Sequence, residues 1–338
     1  MASLLEVDHL SVDFPTDDGT VHAVRDVSFT LEPGDVLGIV GESGSGKSVT
    51  SMAVMGLLPR SARIVGSIRF KGEQLVGRKN KAMQNVRGSK IAMVFQDPMT
   101  SLNPVYTVGW QLSEAVRAHH DVSKKEAWDR AIHMLEVVGI PQPKDRASSY
   151  PHEFSGGMRQ RAMIAMAIAN DPEVIIADEP TTALDVTVQA QILELLAKVQ
   201  EETRAAIILI THDLGVVAGM ADRMLVMYAG KVVEAGTVDD VYYDPRMPYT
   251  VGLLGSIPSI DSSGGQLTPI PGAPPSLINL PPGCPFTPRC PLVREDCVQR
   301  EPDLVPASSL EHVYACLHGD DLVRMEDRTS LFAIGARP

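Results

Sequence analysis

Residues 41–48 read Gly-Glu-Ser-Gly-Ser-Gly-Lys-Ser, a spacing of glycines, lysine and serine that could hold a phosphate chain. Glycines let backbone N–H groups turn towards phosphate oxygens, and a helix that begins beside them adds a positive dipole end. Lys47 can supply charge to the β- and γ-phosphates, and the Ser48 hydroxyl can ligate Mg²⁺. The pattern predicts a nucleotide site made by Gly41, Ser43, Gly44, Ser45, Gly46, Lys47, Ser48 and Val49.

Two adjacent carboxylates, Asp178 and Glu179, follow the apolar run 174–177. Asp178 could hold Mg²⁺ or its water shell, and Glu179 could act as the general base that polarises the attacking water. A capped strand end with a solvated acidic pair would give the same pattern. The phosphate-binding motif upstream favours the catalytic interpretation.

A second potential anion-binding end is the segment Phe154-Ser155-Gly156-Gly157-Met158, which precedes a predicted helix through Asn170. One γ-phosphate does not need two such ends in the same chain. The segment could therefore serve a nucleotide that another subunit holds. The alternative is a serine N-cap followed by glycines that allow close packing.

The elements that must position these residues alternate between strands and helices. Apolar runs predict strands, and apolar residues at helical spacing predict helices after the phosphate-binding motif and after Glu179. Such alternation indicates an α/β fold with a parallel or mixed sheet. The predicted strands are 4–14, 22–31, 35–40, 64–70, 91–95, 173–177, 206–211 and 224–228, and the helices are 49–58, 108–119, 123–138 and 188–199.

The composition limits the class of protein. The 338 residues are 44% hydrophobic and carry a net charge of −12, which argues against a nucleic-acid partner. The sequence has no apolar run of transmembrane length and no basic region followed by an apolar core at its start, so we expect a cytosolic protein. Twelve of the 25 prolines lie between Pro258 and Pro306, which predicts a linker running into an irregular module.

Taken in order, these motifs resemble the ATP-binding cassette (ABC) family. Ser155-Gly156-Gly157 is similar to the family's signature motif, with Phe154 and Met158 in place of the commoner Leu and Gln. Gln96 is similar to the Q-loop glutamine, a further Mg²⁺ ligand, and His212 to the switch histidine that contacts the γ-phosphate. Ala183-Leu184-Asp185 resembles the D-loop, which adds Asp185 to the nucleotide site.

The resemblance implies a P-loop NTPase cassette with a RecA-like core, an antiparallel β subdomain and an inserted helical subdomain. We expect the cassette over 1–256, with the helical subdomain at about 97–170, and a four-cysteine module over 257–338. The family usually stacks adenine on an aromatic residue about 29 positions before the loop lysine, where this chain has Asp17-Asp18-Gly19. Phe14 or His22 could substitute, although Phe14 also suits a strand core.

Several segments are more specific and resemble the ATPases of oligopeptide and dipeptide importers. They are residues 96–104, 150–154, 248–254 and 284–291, and the likeness extends over 4–318. It implies an ATP-hydrolysing subunit on the cytoplasmic face of a membrane, with ATP and Mg²⁺ as cofactors. The implied partners are a second cassette subunit, two membrane permease subunits and an external solute-binding protein.

Other functions stay open at this stage. Nickel and other small-solute importers share much of the cassette. A non-transport ATPase acting on DNA or ribosomes would usually carry a coiled coil between loop and signature, or two cassettes per chain, and this sequence has neither. A third alternative treats the cysteine module as an iron–sulfur redox sensor.

All four cysteines lie in the tail, at Cys284, Cys290, Cys297 and Cys316, with five, six and eighteen residues between them. A proline-rich module of this size cannot bury enough apolar surface to be stable alone, so metal or disulfides would have to stabilise it. The cytosol disfavours disulfides. Zinc usually brings a closely spaced cysteine pair, which is absent, so the spacing favours a [4Fe–4S] cluster over zinc or free thiols.

Overall fold

The structure is a computed structural model, which describes residues 3–97, 101–182, 185–256, 269–307, 309–325 and 328–332. Three predicted features lie partly outside these residues: the D-loop at 183–184, the segment 98–100 after the Q-loop, and the start of the proline-rich linker at 257–268. Among the described helices, none is both long and apolar enough to span a membrane.

The strands confirm the alternation predicted from the apolar runs. Numbered in chain order, they are β1 (Leu5–Thr16), β2 (Gly19–Leu31), β3 (Val36–Val40), β4 (Arg63–Phe70), β5 (Glu73–Gln74), β6 (Ile91–Val94), β7 (Val174–Asp178), β8 (Ala206–Thr211), β9 (Arg223–Tyr228), β10 (Lys231–Thr237), β11 (Val305–Pro306) and β12 (Val313–Tyr314).

Helices lie between these strands, and short 3₁₀ turns occur at Pro151–Glu153 and Thr329–Phe332. The α-helices are α1 (Lys47–Val54), α2 (Asn80–Gln84), α3 (Val108–Arg117), α4 (Lys124–Val137), α5 (Pro143–Arg146), α6 (Gly156–Ile168), α7 (Val186–Thr203), α8 (Leu214–Ala218), α9 (Val238–Tyr243), α10 (Pro248–Leu254), α11 (Glu295–Gln299) and α12 (Gly319–Val323).

The described chain divides into two compact units, and the first comprises residues 3–4, 31–36 and the described residues between 77 and 210. Strands β8, β7 and β6 are adjacent and parallel in this unit. Helix α4 begins with the predicted capping box, in which Ser123 and Glu126 each accept a hydrogen bond from the other's backbone N–H. Helices α3, α4 and α6 pack on one another through buried faces, as the helical spacing indicated.

The second unit comprises residues 5–30, 37–76 and the described residues from 211 onwards. It contains an antiparallel sheet in the order β2-β1-β4-β5, and a mixed set of strands in the order β11-β12-β10-β9-β3. Strand β3 is parallel to β9, and β10 is antiparallel to both β9 and β12. The proline-rich tail thus adds two short strands, which the sequence did not indicate. Strand β11 contains the last proline of the cluster, and β12 follows it.

An aromatic cluster joins the tail to this unit's core. Tyr228 of β9, Tyr249 of α10 and Phe286 are almost fully buried, and their ring centroids lie 4.5–5.5 Å apart. Such edge and tilted contacts add to the free energy of burial. The cysteine module therefore shares a core with the strand β9 rather than standing alone.

Candidate functional site

The predicted site residues fall in both units, and each group is described within its own unit. In the second unit, the phosphate-binding loop runs from the buried strand β3 into α1. Gly41 and Gly46 have φ of 148° and 105°, and a Cβ on them would lie 2.2 Å from the Met227 oxygen and 2.5 Å from the Ala23 oxygen. Only glycine fits there, whereas no atom of the described residues lies within 4 Å of a Cβ built on Gly44. The loop is therefore open at Gly44, where a ligand could approach its backbone.

Lys47 begins helix α1 and shapes the loop from inside. Its buried ammonium donates to the Gly41 oxygen at 2.7 Å and the Glu42 oxygen at 2.9 Å. Ser45 Oγ is buried and has no hydrogen-bond partner among the described residues, whereas Ser48 is half-buried at the helix start. A buried hydroxyl of this kind and an ammonium at a helix N-terminus fit a phosphate ligand.

The first unit contains the predicted catalytic pair at the end of strand β7. Asp178 is buried and Glu179 half-buried. The Glu179 carboxylate accepts hydrogen bonds from Gln96 Nε2 at 2.9 Å and Thr182 Oγ1 at 2.8 Å. The structure thus brings together Gln96 and Glu179, which are 83 positions apart in the sequence.

Glu179 also has an unusual backbone. Its φ is 47°, in the left-handed region, and its N–H donates to the Ile210 oxygen at 2.8 Å. A non-glycine residue held there costs about 1–3 kcal/mol, and such strain is concentrated at functional sites. The sequence did not indicate this conformation. Because strand β7 ends at Asp178, this conformation makes the chain leave the strand direction at Glu179.

The signature segment lies at the start of α6. Ser155 is the N-cap, and its hydroxyl accepts from Met158 N–H at 3.3 Å. Ser155 and Gly156 are exposed, whereas a Cβ on Gly157 would lie 2.9 Å from Val188 Cγ1. Capping and packing are thus both present, and they leave the exposed helix start accessible to an anion.

The remaining predicted nucleotide contacts are distributed along both units. Asp185 caps α7 and accepts from Val188 N–H at 3.0 Å. His212 is exposed directly after β8. Phe14 is half-buried on β1 rather than a core residue, and the His22 ring bonds to Asp13 at 2.7 Å.

All four cysteines line one cavity in the second unit. Met247, Pro248 and Phe286 also line this cavity. Burial raises the pKa of Cys290 and of Cys316 to about 12, and it raises the pKa of Cys284 as well. Thiolates would be costly here without a cation to offset their charge, so the donor set suits a metal or cluster.

A second group of possible ligand atoms overlaps this cavity. Asp296, Cys297 and His318 offer atoms within 4.8 Å of one another, and the Asp296 carboxylate lies 2.9 Å from His318 Nε2. No three cysteine sulfurs in the described chain lie that close to one another. Among the described residues, the compact group of possible ligand atoms thus contains one cysteine together with a carboxylate and an imidazole.

One contact at the phosphate-binding loop had no signal in the sequence. Arg289, next to Cys290, forms an ion pair with Glu42 through two hydrogen bonds of 2.6 and 2.8 Å. The Glu42 N–H also donates to the Tyr249 hydroxyl at 2.8 Å. Because 247 positions separate Arg289 from Glu42, no local pattern could connect them.

A glycine-cradled loop between a buried strand and a helix, with an acidic pair ending another parallel strand, defines a P-loop nucleotide-binding cassette. The family comparisons agree. The sequence-family model described as "ABC transporter" matches residues 24–182. A second family model, "Oligopeptide/dipeptide transporter, C-terminal region", matches residues 233–297. The chain belongs to the ABC transporter family, in the oligopeptide/dipeptide group.

Curated relatives are similar along most of the chain. The chain is 57% identical to the oligopeptide transport ATP-binding protein OppD of Mycobacterium tuberculosis over 94% of its own length, but spans about half (52%) of that relative. It is 57% identical to the dipeptide transport ATP-binding protein DppD of Bacillus subtilis, covering 86% of this chain and 88% of that protein. For Escherichia coli OppD the identity is 53% and both coverages are 89%.

Solved cassettes share the fold. A dimeric post-hydrolysis state of the cassette MJ0796, bound to ADP and Pi, matches with a TM-score of 0.62 and 26% identity, over 69% of this chain and 98% of that one. The cassette cbiO1 from Clostridium perfringens, part of the ABC transporter complex cbiONQ, matches with a TM-score of 0.62 and 29% identity, over 75% of this chain and 96% of that one. The predicted ABC cassette fold is confirmed.

Proposed function

We propose that the chain is the ATP-hydrolysing subunit of an ABC importer for oligopeptides or dipeptides. The observation that carries this proposal is the high identity to peptide-transport ATP-binding proteins, and the oligopeptide/dipeptide transporter family model that matches residues 233–297 agrees with it. Nickel and other small solutes are the alternative cargo. The chain would sit peripherally at the cytoplasmic face of the membrane.

Each site residue has a defined task in this proposal. The loop 41–49 binds the phosphates of ATP, with Lys47 neutralising charge at the β- and γ-phosphates. By their motifs, Ser48, Gln96 and Asp178 would supply ligands to Mg²⁺, and the ion would neutralise phosphate charge. Glu179 accepts the proton of the attacking water, and His212 contacts the γ-phosphate. Phe14 is the better candidate for the adenine contact, because His22 is engaged with Asp13.

The proposed assembly contains a second ATPase subunit, in a heterodimer, together with two permease subunits and an external solute-binding protein. An exposed apolar surface supports a permease contact within residues 97–120: Val105 is 69% exposed, Tyr106 43% and Trp110 42%. The two aromatic rings stack with centroids 4.0 Å apart. Exposed aromatics of this kind often mark protein contacts.

Copurification tests this assignment. The tagged chain, extracted in mild detergent from native membranes, should bring down two multispanning proteins and a second cassette chain in stoichiometric amounts. Recovery from the soluble fraction without any membrane protein would contradict the importer assignment. Recovery with nickel-specific rather than peptide-specific partners would contradict the peptide cargo, but the importer assignment would stand.

The signature segment should act on the nucleotide of the partner cassette. The change Ser155→Arg places a bulky cation at the exposed start of α6. We expect it to leave ATP binding to the isolated chain unchanged, and to block hydrolysis in the assembled complex. Nucleotide titration of the isolated chain and phosphate release by the complex measure the two effects. Full ATPase activity from a monomeric chain would contradict action in trans.

We further propose that the four cysteines hold a [4Fe–4S] cluster, with zinc as the alternative. The shared cavity supports this proposal, because all four cysteines line it and burial makes thiolates costly there without a bound cation. In such a cluster each sulfur would bind its own iron. The cluster would stabilise the four-cysteine module. Our proposed domain bounds are 1–256 for the cassette and 257–338 for this module.

Anaerobic purification tests the metal. We expect brown protein with about four irons and four acid-labile sulfides per chain. Cys290→Ser should bleach it and expose residues 280–318 to protease, because the cluster substitutes for a core. Colourless protein with one zinc per chain would replace the cluster by zinc, and metal-free protein with an intact protease pattern would exclude both.

A further inference from the structure

We propose that Arg289 is a positioning residue for the phosphate-binding loop, and that it couples this loop to the four-cysteine site. The inference rests on the proposed ATP binding and goes beyond it, because it assigns the cysteine module a task at the nucleotide site. All the contacts involved lie within the second unit.

The contact itself is geometrically strong. Both terminal nitrogens of the Arg289 guanidinium donate to the two Glu42 carboxylate oxygens, at 2.6 and 2.8 Å. Two parallel charge-assisted hydrogen bonds fix orientation as well as distance. Glu42 is the second residue of the loop, and its carbonyl oxygen accepts from Lys47 at 2.9 Å. A displaced Glu42 would therefore move the lysine that is to bind phosphate.

The surroundings hold Arg289 in one place. Its side chain is 3% exposed, whereas that of Glu42 is 28% exposed. Arg289 Nε donates to the Pro271 oxygen at 3.0 Å, and the guanidinium lies 5.8 Å from the Tyr228 ring centroid and 5.9 Å from that of Phe286. A buried arginine with this many partners is a rigid support rather than a mobile surface charge.

The loop is held at the same residue from a second side. The Glu42 N–H donates to the Tyr249 hydroxyl, and Tyr249 packs edge-on against Phe286 in the aromatic cluster. Thus both the side chain and the backbone of Glu42 depend on residues packed against the cysteine module. The phosphate-binding loop is therefore positioned by Arg289 and Tyr249, which belong to none of the cassette motifs.

Arg289 is linked to the cysteine cavity in two ways, through its neighbour in the sequence and through a backbone hydrogen bond. Arg289 directly precedes Cys290, and the Arg289 N–H donates to the oxygen of Phe286, which lines the cysteine cavity. Occupation of the cavity would fix this turn. Loss of the bound group would free it, and Glu42 would lose its partner.

Nucleotide affinity tests the inference. We would titrate the full-length chain, purified without oxygen, with a fluorescent ATP analogue and Mg²⁺. Arg289→Gln and Glu42→Gln should each raise the Kd about tenfold, within the usual range of coupling between sites. If the pair acts as a unit, the double variant should bind no more weakly than either single variant.

Arg25→Gln is the matched control. Arg25 also forms an ion pair that reaches the module, through one hydrogen bond of 2.7 Å to Glu301, but no contact with Glu42 is found for it in the described structure. We expect wild-type Kd from this variant. An equal loss in Arg25→Gln and Arg289→Gln would mean that attachment of the module matters rather than this arginine, and would overturn the positioning role.

Protease resistance of residues 280–318 separates positioning from unfolding. If protease cleaves Arg289→Gln in this segment, the Kd of Glu42→Gln becomes the test of the positioning role. Glu42→Gln weakens the same ion pair, but it changes the more exposed of the two side chains. Wild-type Kd in Glu42→Gln would then overturn the proposal. Cys290→Ser should weaken binding as Arg289→Gln does, with no further loss when the two are combined, and an unchanged Kd would overturn the coupling.

This outcome can be told apart from failure of the proposed function. If the wild-type chain binds no nucleotide analogue, the ATPase assignment fails. If the wild-type chain binds and all three pair variants bind equally well, the ATPase assignment stands and the positioning role of Arg289 is wrong.

Discussion

Replacing Glu179 by glutamine should reduce ATP hydrolysis by the assembled complex by about 10²- to 10⁴-fold, the usual contribution of a positioned general base. Glutamine keeps the size and the hydrogen-bonding capacity of the side chain, so the contacts with Gln96 and Thr182 can be retained. The nucleotide site should therefore still bind ATP and Mg²⁺. The loss should appear in kcat, and ATP-bound complex should accumulate.

Phosphate release at saturating ATP measures this effect, with nucleotide titration as the companion measurement. Glu194→Gln is the matched control, because Glu194 is an exposed residue of α7. It should hydrolyse ATP at the wild-type rate. Wild-type hydrolysis by Glu179→Gln would show that another group accepts the proton.

Replacing Lys47 by alanine should weaken nucleotide binding itself. The buried ammonium has two tasks: it holds the loop through the Gly41 and Glu42 oxygens, and it is the charge partner of the phosphates. One charge-assisted hydrogen bond contributes about 1.5–3 kcal/mol, so the Kd for ATP should rise roughly 10- to 100-fold. Hydrolysis at low ATP should fall in proportion.

Lys198→Ala controls for loss of a lysine. Lys198 is exposed on α7 and pairs with Glu202 four positions later, an interaction that contributes little to stability. Its Kd for ATP should match that of the wild type. An unchanged Kd in Lys47→Ala would contradict phosphate binding by the loop.

These two variants separate binding from chemistry. Lys47→Ala should raise the Kd, whereas Glu179→Gln should lower kcat with the Kd preserved. The same division applies to Arg289→Gln, which should resemble a mild Lys47→Ala rather than Glu179→Gln. A fall in kcat alone in that variant would place its effect outside the phosphate-binding loop.

Local patterns were enough to predict most of the elements. The buried strands β3, β7 and β8 have continuous apolar runs, and the helix α4 has both its capping box and Gly139 after its end. Boundaries were less accurate. The helix after the loop begins at Lys47 rather than Val49, because Gly46 in a left-handed conformation lets the helix start directly from the loop.

Features that depend on distant packing could not be predicted. Strand β12 exists because β10 offers an edge, and no alternation in Val313–Tyr314 indicates a strand. The left-handed backbone of Glu179 depends on its hydrogen bond to Ile210. The Arg289–Glu42 pair joins the two ends of the second unit's sequence, and a lone arginine between proline and cysteine has no recognisable pattern.

The most direct measurement of the proposed function is ATP-driven uptake of a labelled oligopeptide into liposomes that contain the complete complex, with its solute-binding protein on the side opposite the ATPases. We predict uptake that requires ATP and Mg²⁺, stops with Glu179→Gln in this chain, and is competed by unlabelled peptide but not by nickel. Peptide uptake that persists in the Glu179→Gln complex, or ATP-driven uptake of nickel with none of peptide, would contradict the account.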